Sequence, residues 1–475
     1  MLSDYFIQRL SENLPYVPTE EQADLIARLS AFLWDDNVPS VFLLKGYAGT
    51  GKTSLIGALV KTLESFERTC VLLAPTGRAA KVFALYAGHA AYTIHKKIYR
   101  QRAFTGDFTG FQLAHNAHKN TFFIVDEASM IANETAEGRV YGSGLLLDDL
   151  FDFVYSGSGC RLILLGDTAQ LPPVGQMQSP ALDEGYVRRY GFPVYTFVLT
   201  HVVRQLEESG VLFNAPRLRE LMQESPLPVP RIRLGSFPDV CRVGGDELIE
   251  RLSSAYQRDG MDETIIVTRS NKRANIFNQG VRNRILYREE ELTGGDLLLV
   301  ARNNYFWSEK YEKLDFIANG DVARVVRVRN VCEMYGFRFA DVALYFPDYE
   351  EEIEAKVILD TLHSEAPSLT SEENTRLFNA VMEDYADVPS KKERLKKLKN
   401  DPWFNALQVK YAYAVTCHKA QGGQWSNVFV DMGYIRPDML GLDFYRWLYT
   451  AFTRTTGRLL LVNISPEYLE DKLSD

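Results

Sequence analysis

A short glycine-rich segment limits the folds open to this chain more than any other feature of its sequence. The apolar run VFLLKG (41–46) leads into GYAGTGKTS (46–54), and SLIGALVKTLE follows with helical spacing of its apolar residues. In such a strand, loop and helix, backbone N–H groups cradle phosphate, a lysine reaches the β and γ phosphates, and a hydroxyl ligates magnesium. We therefore expect nucleotide contacts from Gly46, Gly49, Thr50, Gly51, Lys52, Thr53 and Ser54. The alternative is a glycine-rich turn that binds no ligand.

Three further apolar runs have the pattern of buried parallel strands. VLLAPTGRAA, TFFIVDEAS and RLILLGDTAQ each end on polar or small residues, and functional residues of parallel sheets gather at the carboxyl ends of the strands. The pattern of residues 1–200 therefore predicts a doubly wound α/β domain, with an amphipathic helix that begins after Thr19. The whole chain of 475 residues is long enough for about three or four domains.

The middle of the chain has a different pattern. Residues 98–120 carry glycine-bearing turns and phenylalanines in a polar setting, which predicts a small inserted hairpin. ETIIVTRSNKRANIF indicates a strand and helix of a second α/β domain that begins near residue 200. GDLLLVARNNY and NGDVARVVRVRNV are typical of the short strands of a small barrel, and residues 369–400 are typical of helix.

Composition and charge limit the location and the partners of the chain. The apolar runs stay short of the about 18 residues that a membrane span needs, and no secretory signal is evident. The 5 cysteines lie far apart without paired spacing, which favours a reducing compartment, the cytoplasm. A net charge of -9 argues weakly against a nucleic-acid partner, because an acidic protein can line one channel with positive groups and backbone donors.

Two carboxylates, Asp126 and Glu127, follow the apolar run FFIV. Beside a P-loop, the motif indicates that the aspartate holds the magnesium shell and the glutamate deprotonates the attacking water. Gln170, after the next apolar run, is placed to sense the γ-phosphate and this water. The alternatives are a solvated strand end for the carboxylates and a surface turn stiffened by Pro172 and Pro173 for the glutamine.

Two arginines later in the chain are candidates for contacts with the phosphoryl group from a second domain. Arg204 lies in LTHVVRQ, and Arg454 lies in AFTRTTG. An arginine that enters the site from a neighbouring domain stabilises the charge that develops during phosphoryl transfer. A single arginine is more often a surface charge or a salt-bridge partner, so both candidates depend on the other motifs.

Eight motifs stand in the order of the superfamily-one helicases: GYAGTGKT, APTGRAAK, YTIHKKIY, IVDEASM, LGDTAQLPPVG, LTHVVRQ, TCHKAQG and YTAFTRT. The chain resembles the RecD and Dda branch of that superfamily. The resemblance implies an α/β chain of two RecA-like P-loop NTPase domains, with an inserted β-hairpin and an inserted SH3-like β-barrel that carries a helical extension. The implied domains are 1–200 with the hairpin at 98–120, 201–290 together with 405–475, and 291–404 for the barrel and its helical tower.

The resemblance also implies an activity and its partners. It implies a monomeric enzyme that hydrolyses ATP with Mg²⁺ between the two domains, moves 5′ to 3′ along single-stranded DNA and unwinds forked duplex DNA. Single-strand binding proteins and recombination proteins are further candidate partners. Gln22 would contact adenine, although Thr19 and Gln22 also have the spacing of a helix-capping box. Val203 stands where related helicases often have an aromatic residue, which leaves the base selectivity open.

The resemblance places the DNA track on three motifs. The residues are Pro75, Thr76, Thr93, His95, Thr416 and His418. Helicase channels follow the sugar-phosphate backbone with hydroxyls, backbone donors and positive groups, which agrees with these residue types. Each histidine has an alternative role as a neutral, hydrogen-bonded core group. Gln421 and Gly422 are expected where the DNA face meets the γ-phosphate, as the coupling element.

Phe104, Phe108 and Phe111 of the hairpin are candidates for a wedge between the DNA strands. An apolar ring can stack on the terminal base pair and replace the stacking that is lost on opening. The alternative is that one or two of these rings pack the hairpin against the first domain. The basic stretch KKERLKKLK is interpreted as a solvated helix face, with a DNA or partner contact as its alternative.

Two other functions fit the same motifs. One is an ATPase stimulated by single-stranded DNA that remodels protein–DNA complexes without separating strands, and the other is a RecD-like subunit of a larger recombination or repair complex. A non-catalytic subunit is disfavoured because the expected catalytic set is complete. That set is Lys52, Glu127, Gln170, Arg204 and Arg454.

Overall fold

The structure is a computed structural model that describes residues 2–35, 39–101, 111–134, 142–201, 209–235, 237–311, 314 and 316–470. Its helices are α1 (Leu2–Asn13), α2 (Glu20–Trp34), α3 (Lys52–Ser65), α4 (Gly77–Ala87), α5 (Ile94–Ile98), α6 (Leu146–Ser156), α7 (Glu184–Val187), α8 (Gly210–Leu221), α9 (Leu248–Asp259), α10 (Asn271–Arg284), α11 (Asp360–His363), α12 (Ser371–Glu383), α13 (Lys391–Lys399), α14 (Cys417–Ala420) and α15 (Leu442–Phe452). Its strands are β1 (Val41–Gly46), β2 (Cys70–Ala74), β3 (Ala91–Thr93), β4 (Tyr99–Gln101), β5 (Phe111–Leu113), β6 (Phe122–Val125), β7 (Arg161–Gly166), β8 (Val194–Leu199), β9 (Val240–Val243), β10 (Thr264–Thr268), β11 (Leu297–Val300), β12 (Val322–Met334), β13 (Phe337–Phe346), β14 (Glu351–Ile358), β15 (Leu407–Tyr411), β16 (Ala414–Thr416), β17 (Trp425–Asp431) and β18 (Thr455–Val462).

Six parallel strands form the first sheet, in the order β3, β2, β6, β7, β1, β8. Every residue of β2, β6 and β7 is buried, as expected for apolar runs that are covered on both faces. β1 lies between β7 and β8, so that Leu43 pairs with Leu164 and Thr196. The predicted α/β class is confirmed. The carboxyl ends of β1, β6 and β7 meet at one edge, which brings the segments after them together.

Helices cover both faces of this sheet. On one face, α1, α2 and α3 pack through Phe6, Leu25 and Leu55 against Phe42 and Leu44 of β1. On the other face, α5 and α6 close a second apolar cluster against the same strands. The loops at the carboxyl edge therefore project from a sheet that is fixed on both sides.

The second sheet has five parallel strands in the order β16, β10, β17, β18, β9. A closed barrel of β11, β12, β13, β14 and β15 is inserted between β10 and β16 and shares the apolar core of this sheet. β14 and β15 are parallel, and the other neighbouring barrel strands are antiparallel. The expected small barrel is present. Its last strand, Leu407–Tyr411, lies beyond residue 404, at which the sequence placed the end of the barrel unit.

Two helices, α12 and α13, extend from the barrel between β14 and β15. Leu377 and Val381 of α12 and Leu398 of α13 pack against Phe337 and Phe339 of β13. Most lysines of α13 are exposed, which agrees with the interpretation of KKERLKKLK as a solvated helix face.

We call residues 2–199, built on the six-stranded sheet, the first lobe, and residues 209–470, built on the five-stranded sheet and the barrel, the second lobe. The predicted domain boundaries stay predictions. Within the described ranges, no helix combines the length and the apolarity needed to cross a bilayer. The cysteines are free thiols, and Cys70, Cys160 and Cys417 are buried.

Candidate active site

The loop between β1 and α3 has the backbone of a phosphate cradle. Gly49 and Gly51 have φ of 80° and 82°, in the left-handed region that favours glycine. A Cβ at Gly51 would lie 2.7 Å from Gln22 Nε2, so a side chain has no room there. No side chain caps the amino end of α3 at Lys52, and its first N–H groups can therefore bind an anion. The predicted strand, loop and helix are present, and the loop fits a nucleotide phosphate.

Lys52 lies against the carbonyl groups of its own loop. Its Nζ donates to Gly46 O and to Tyr47 O, the latter at 2.9 Å. The aliphatic part of the side chain passes over Gly46, where a Cβ would lie 2.7 Å from Lys52 Cδ. This path keeps the ammonium group within the loop that would hold the phosphates.

Gln22 connects the amino end of α2 to the same loop. Its N–H donates to Thr19 Oγ1 at 3.3 Å, and its Oε1 accepts from Thr19 N–H at 3.2 Å, which completes a capping box. Its Nε2 donates to Thr50 O at 3.0 Å. The capping interpretation is confirmed, and a contact between Gln22 and adenine stays a prediction.

Asp126 and Glu127 follow β6 at this edge of the sheet. Glu127 has φ of 51°, an uncommon backbone conformation for a residue with a side chain, and its N–H donates to Asp126 Oδ1 at 2.8 Å. Burial and the neighbouring Glu127 charge raise the pKa of Asp126 to about 6, against the opposing effect of Lys52 and Arg454. The two carboxyl groups therefore share a small volume with one cation from each lobe.

Arg454 brings a guanidinium group from the second lobe to these carboxyl groups. The residue is 3% exposed, and its Nη1 lies 3.7 Å from Glu127 Oε1. Its Nε donates to Thr450 O at 3.2 Å, and its Nη1 donates to Gly423 O at 3.4 Å. Second-lobe carbonyls therefore hold the guanidinium at the boundary between the lobes.

Gln170 lies beside a polar cavity at the same boundary. The residue is 7% exposed, and its Oε1 has no hydrogen-bond partner within the described part of the chain. The cavity has a volume of about 300 Å³ and is also lined by Lys45, Ser129, Asp167 and Arg446. Leaving a buried amide oxygen without a hydrogen-bond donor costs about 1–3 kcal/mol of free energy. The cavity has room for water or a bound phosphate near this oxygen.

The first-lobe residues of the predicted DNA track lie at the carboxyl ends of two neighbouring strands. Thr76 caps α4 by accepting from Ala79 N–H, and Thr93 caps α5 by accepting from Lys96 N–H, both at 3.2 Å. Pro75 directly precedes Thr76. Because β2 and β3 are parallel neighbours, both caps lie on one edge of the sheet. The hydroxyls have a local role in the caps, and their contact with DNA stays a prediction.

The two histidines of the predicted track differ in their surroundings. His95 is half-buried, with its ring centre 5.7 Å from that of Tyr99 and 6.2 Å from that of Phe316. Burial lowers the pKa of His95 to about 4, so this ring is neutral at pH 7. His418 is exposed. The environment of His95 favours the alternative of a neutral packed ring, whereas His418 has the exposure that a strand contact needs.

The late segment from Thr416 to Gly422 lies against the first lobe. Gln421 Nε2 donates to Leu171 O at 2.7 Å. Gly422 has φ of 73°, and a Cβ there would lie 2.9 Å from Ala79 Cβ. The segment therefore touches both the loop after β7 and the start of α4, and its role as a coupling element stays a prediction.

The hairpin belongs to the first lobe and also contacts the second lobe. β4 and β5 pair antiparallel, and the ring of Phe111 lies 4.7 Å from that of Tyr305, between β11 and β12. Phe111 also packs against the apolar cluster of α5 and α6. The structure therefore shows a packing contact for Phe111, and its role as a wedge stays a prediction. Four residues named in the sequence predictions lie outside the described residues: Phe104, Phe108, Val203 and Arg204.

Comparison with known proteins identifies relatives of the chain. Two family models match the chain. The AAA domain matches residues 19–213, and the UvrD-like helicase C-terminal domain matches residues 411–462. The chain is 31% identical over 455 residues to the ATP-dependent RecD2 DNA helicase of Deinococcus radiodurans, covering 93% of this chain and 48% of that protein. It is 22% identical over 410 residues to the ATP-dependent DNA helicase Dda of Enterobacteria phage T4, covering 82% of this chain and 86% of that protein. The chain is a homologue of these helicases.

The chain spans about half the length of the Deinococcus protein, 48%. Among solved structures, the Pif1 helicase from Bacteroides in complex with ADP-AlF3 and ssDNA has a TM-score of 0.46 and 16% identity. That comparison covers 96% of this chain and 95% of the Pif1 chain.

Sequence reasoning missed one residue of the cleft between the lobes, Tyr449. The residue is 1% exposed. Its hydroxyl accepts from Ala48 N–H at 2.9 Å and donates to Asp167 Oδ2 at 2.7 Å. A second-lobe side chain therefore connects the P-loop to the loop after β7. The signal that could have found it is its place within YTAFTRT, five residues before Arg454.

Two further contacts join the lobes at the same place. Thr450 Oγ1 accepts from Leu171 N–H at 2.8 Å. The guanidinium of Arg219, in α8, lies 4.1 Å from the ring centre of Tyr47 in the P-loop. Such a contact contributes about 0.5–1 kcal/mol at an exposed site and more when it is desolvated. The second lobe thus contacts the nucleotide loop from both α8 and α15.

Proposed function

We propose that this chain is an ATP-dependent DNA helicase. In this proposal it moves 5′ to 3′ along single-stranded DNA and unwinds duplex DNA by coupling ATP hydrolysis to closure of two RecA-like domains, which correspond to the two lobes. The observation that carries the proposal is the 3.7 Å contact between Arg454 of the second lobe and Glu127 of the first. Both homologues bear the name DNA helicase, which supports the same activity.

ATP would bind where the P-loop and the carboxyl groups meet. Lys52 and the uncapped N–H groups of α3 offer charge and hydrogen bonds to its phosphates. Thr53 and Asp126 are oxygen donors of the kind that Mg²⁺ prefers, and this ion, when bound, neutralises charge on the phosphates. Glu127 would take a proton from the attacking water, and Gln170 would orient that water.

Closure of the cleft would follow from the position of Arg454. A guanidinium gains a charge-assisted hydrogen bond to the terminal phosphate only when the two lobes are close. Hydrolysis removes that phosphate, so the closed arrangement loses this contact. Because Gln421 bonds to Leu171 and Gly422 packs on Ala79, the movement would be passed to the strand track.

We further propose that the hairpin and the barrel are the inserted elements of this helicase branch. The hairpin β4–β5 would be the first-domain insertion, and the five-stranded barrel with α12 and α13 would be the SH3-like barrel with its helical extension. Single-stranded DNA and forked duplex DNA are the proposed partners of a monomeric enzyme. Single-strand binding and recombination proteins are further candidates.

Strand separation on two forks tests this proposal. One fork carries only a 5′ single-stranded tail and the other only a 3′ tail, and each is incubated with the purified chain and ATP. We expect unwinding of the 5′-tailed fork alone, together with ATP hydrolysis that single-stranded DNA stimulates. Unwinding confined to the 3′-tailed fork would contradict the direction. Stimulated hydrolysis with neither fork separated would favour remodelling of protein–DNA complexes instead.

A further inference from the structure

The helix α15 and the turn after it place three side chains across the boundary between the lobes. They are Tyr449, Thr450 and Arg454, which contact the P-loop, the loop after β7 and Glu127, respectively. A movement of this helix would therefore change three parts of the candidate active site at once.

The Tyr449 hydroxyl both accepts and donates a hydrogen bond across this boundary. It accepts from Ala48 N–H at 2.9 Å and donates to Asp167 Oδ2 at 2.7 Å, while Asp167 Oδ1 accepts from Ala169 N–H at 2.9 Å. Burial and the charge of Asp167 raise the pKa of Tyr449 well above its usual value, so the hydroxyl remains a donor at neutral pH. One second-lobe atom thus bridges two loops of the first lobe.

We infer that Tyr449 is a positioning residue that couples the state of the P-loop to the position of the second lobe, an inference that rests on the proposed function. Phosphate binding would shift the Ala48 amide, and a hydrogen bond weakens steeply as its angle falls towards about 120°. The hydroxyl of Tyr449 would therefore respond to that shift. Since Asp167 begins the segment that leads to Gln170, the same hydroxyl aligns the amide that orients the attacking water.

A second buried tyrosine on the same helix is a control that distinguishes a positioning role from a packing role. Tyr445 lies one turn earlier on α15 and is 0% exposed. Its hydroxyl donates to Pro228 O, which belongs to the second lobe. Replacing either tyrosine by phenylalanine removes one buried hydroxyl and keeps the ring. The Tyr449 substitution breaks contacts between the lobes, whereas the Tyr445 substitution breaks a contact within one lobe.

Steady-state ATP hydrolysis by the full chain, with and without a single-stranded oligonucleotide, tests the inference. We expect Tyr449→Phe to lower the DNA-stimulated kcat by about 10-fold, since couplings between sites are typically about 5–150-fold. The KM for ATP should change by less than about threefold, because the hydroxyl acts on alignment more than on ground-state binding. Tyr445→Phe should keep both values. Equal loss in both variants, or no loss in Tyr449→Phe, would overturn the inference.

Two controls separate the inference from a folding defect and from the proposed function. The Tm of Tyr449→Phe should match that of Tyr445→Phe. If Tyr449→Phe does not fold, Asp167→Ala removes the acceptor of the Tyr449 hydroxyl, and normal stimulation in that variant would overturn the inference. If the unsubstituted chain shows no stimulation by DNA, the proposed function fails before any variant is compared.

Discussion

Two of the places at which the lobes meet differ in their chemistry. At the cleft, buried polar groups make hydrogen bonds, such as the 2.7 Å bond from Tyr449 to Asp167. At the hairpin, aromatic rings meet, with the centroids of Phe111 and Tyr305 4.7 Å apart. Hydrogen bonds are lost with small changes of distance and angle, whereas aromatic pairs stay favourable over centroid separations of about 4.5–7 Å.

This difference indicates distinct roles for the two contacts. The cleft can act as a switch, because its contacts are either made or broken. The hairpin contact can act as a hinge, because its rings tolerate sliding. Substitutions at the cleft should therefore change turnover, and substitutions at the aromatic contact should change stability.

The largest effect is expected from Lys52→Ala at the cleft. Loss of the ammonium group from the phosphate cradle should lower the kcat for ATP hydrolysis by about 10³-fold. Most of the affinity for single-stranded DNA should persist. A coupled ATPase assay and fluorescence anisotropy measure the two quantities. Lys61→Ala, on the exposed side of the same helix, is the matched control. An equal loss of turnover in the control would contradict the role given to Lys52.

A smaller loss is expected from Arg454→Ala, on the opposite side of the cleft. The kcat should fall by about 10²-fold, because the guanidinium stabilises charge that develops during the reaction. The affinity for a non-hydrolysable ATP analogue should fall less than in Lys52→Ala. Arg458→Ala, an exposed arginine four residues later, should leave both unchanged. If Arg454→Ala turned over normally but lost affinity as Lys52→Ala does, the closing role would be wrong.

The Phe111→Ala substitution tests whether the aromatic contact affects stability and not turnover. Aromatic pairs contribute about 0.5–1.5 kcal/mol beyond the area that they bury. A double-mutant cycle with Tyr305→Ala, followed by urea unfolding, should therefore give a coupling free energy of about 1 kcal/mol. ATP turnover should change little. A fall in kcat comparable to that of Arg454→Ala would remove the distinction between switch and hinge.

The smallest effect concerns His95, which packs beside the aromatic contact. Burial lowers its pKa to about 4 from 6.5, so the unfolded chain binds the proton more readily between these pH values. The free energy of unfolding should fall as the pH drops from 6.5 towards 4, by less than about 1.4 kcal/mol per pH unit. Urea unfolding at several pH values should show a shallower dependence for His95→Gln than for His418→Gln. Identical slopes would contradict a neutral packed ring at residue 95.

The P-loop and its surroundings could be predicted from the sequence because their signals are local. The apolar run before Gly46, the helix after it and the capping box of Thr19 and Gln22 depend on residues a few positions apart. Burial of the strands follows from their continuous apolar runs. The edge at which the carboxyl groups meet the loop follows from the parallel order of the strands.

The contacts between the lobes could not be predicted in the same way. Ala48 and Tyr449 are 401 residues apart, and the helical pattern of α15 shows only that Tyr449 lies on a buried face. The place of the last barrel strand, after residue 404, has a related cause. LQVKYAYAVT (407–416) contains β15 and β16 without a glycine or proline between them, so no local signal marks the change from one sheet to the other.

Gly422 has a consequence for how far the cleft can close. A Cβ at this position would lie 2.9 Å from Ala79 Cβ and 3.2 Å from Thr76 Oγ1, so even alanine would hold the late segment away from α4. The clearance at this seam is smaller than one methyl group. The hydrogen atom that glycine carries in place of a side chain therefore allows the late segment to approach α4 this closely.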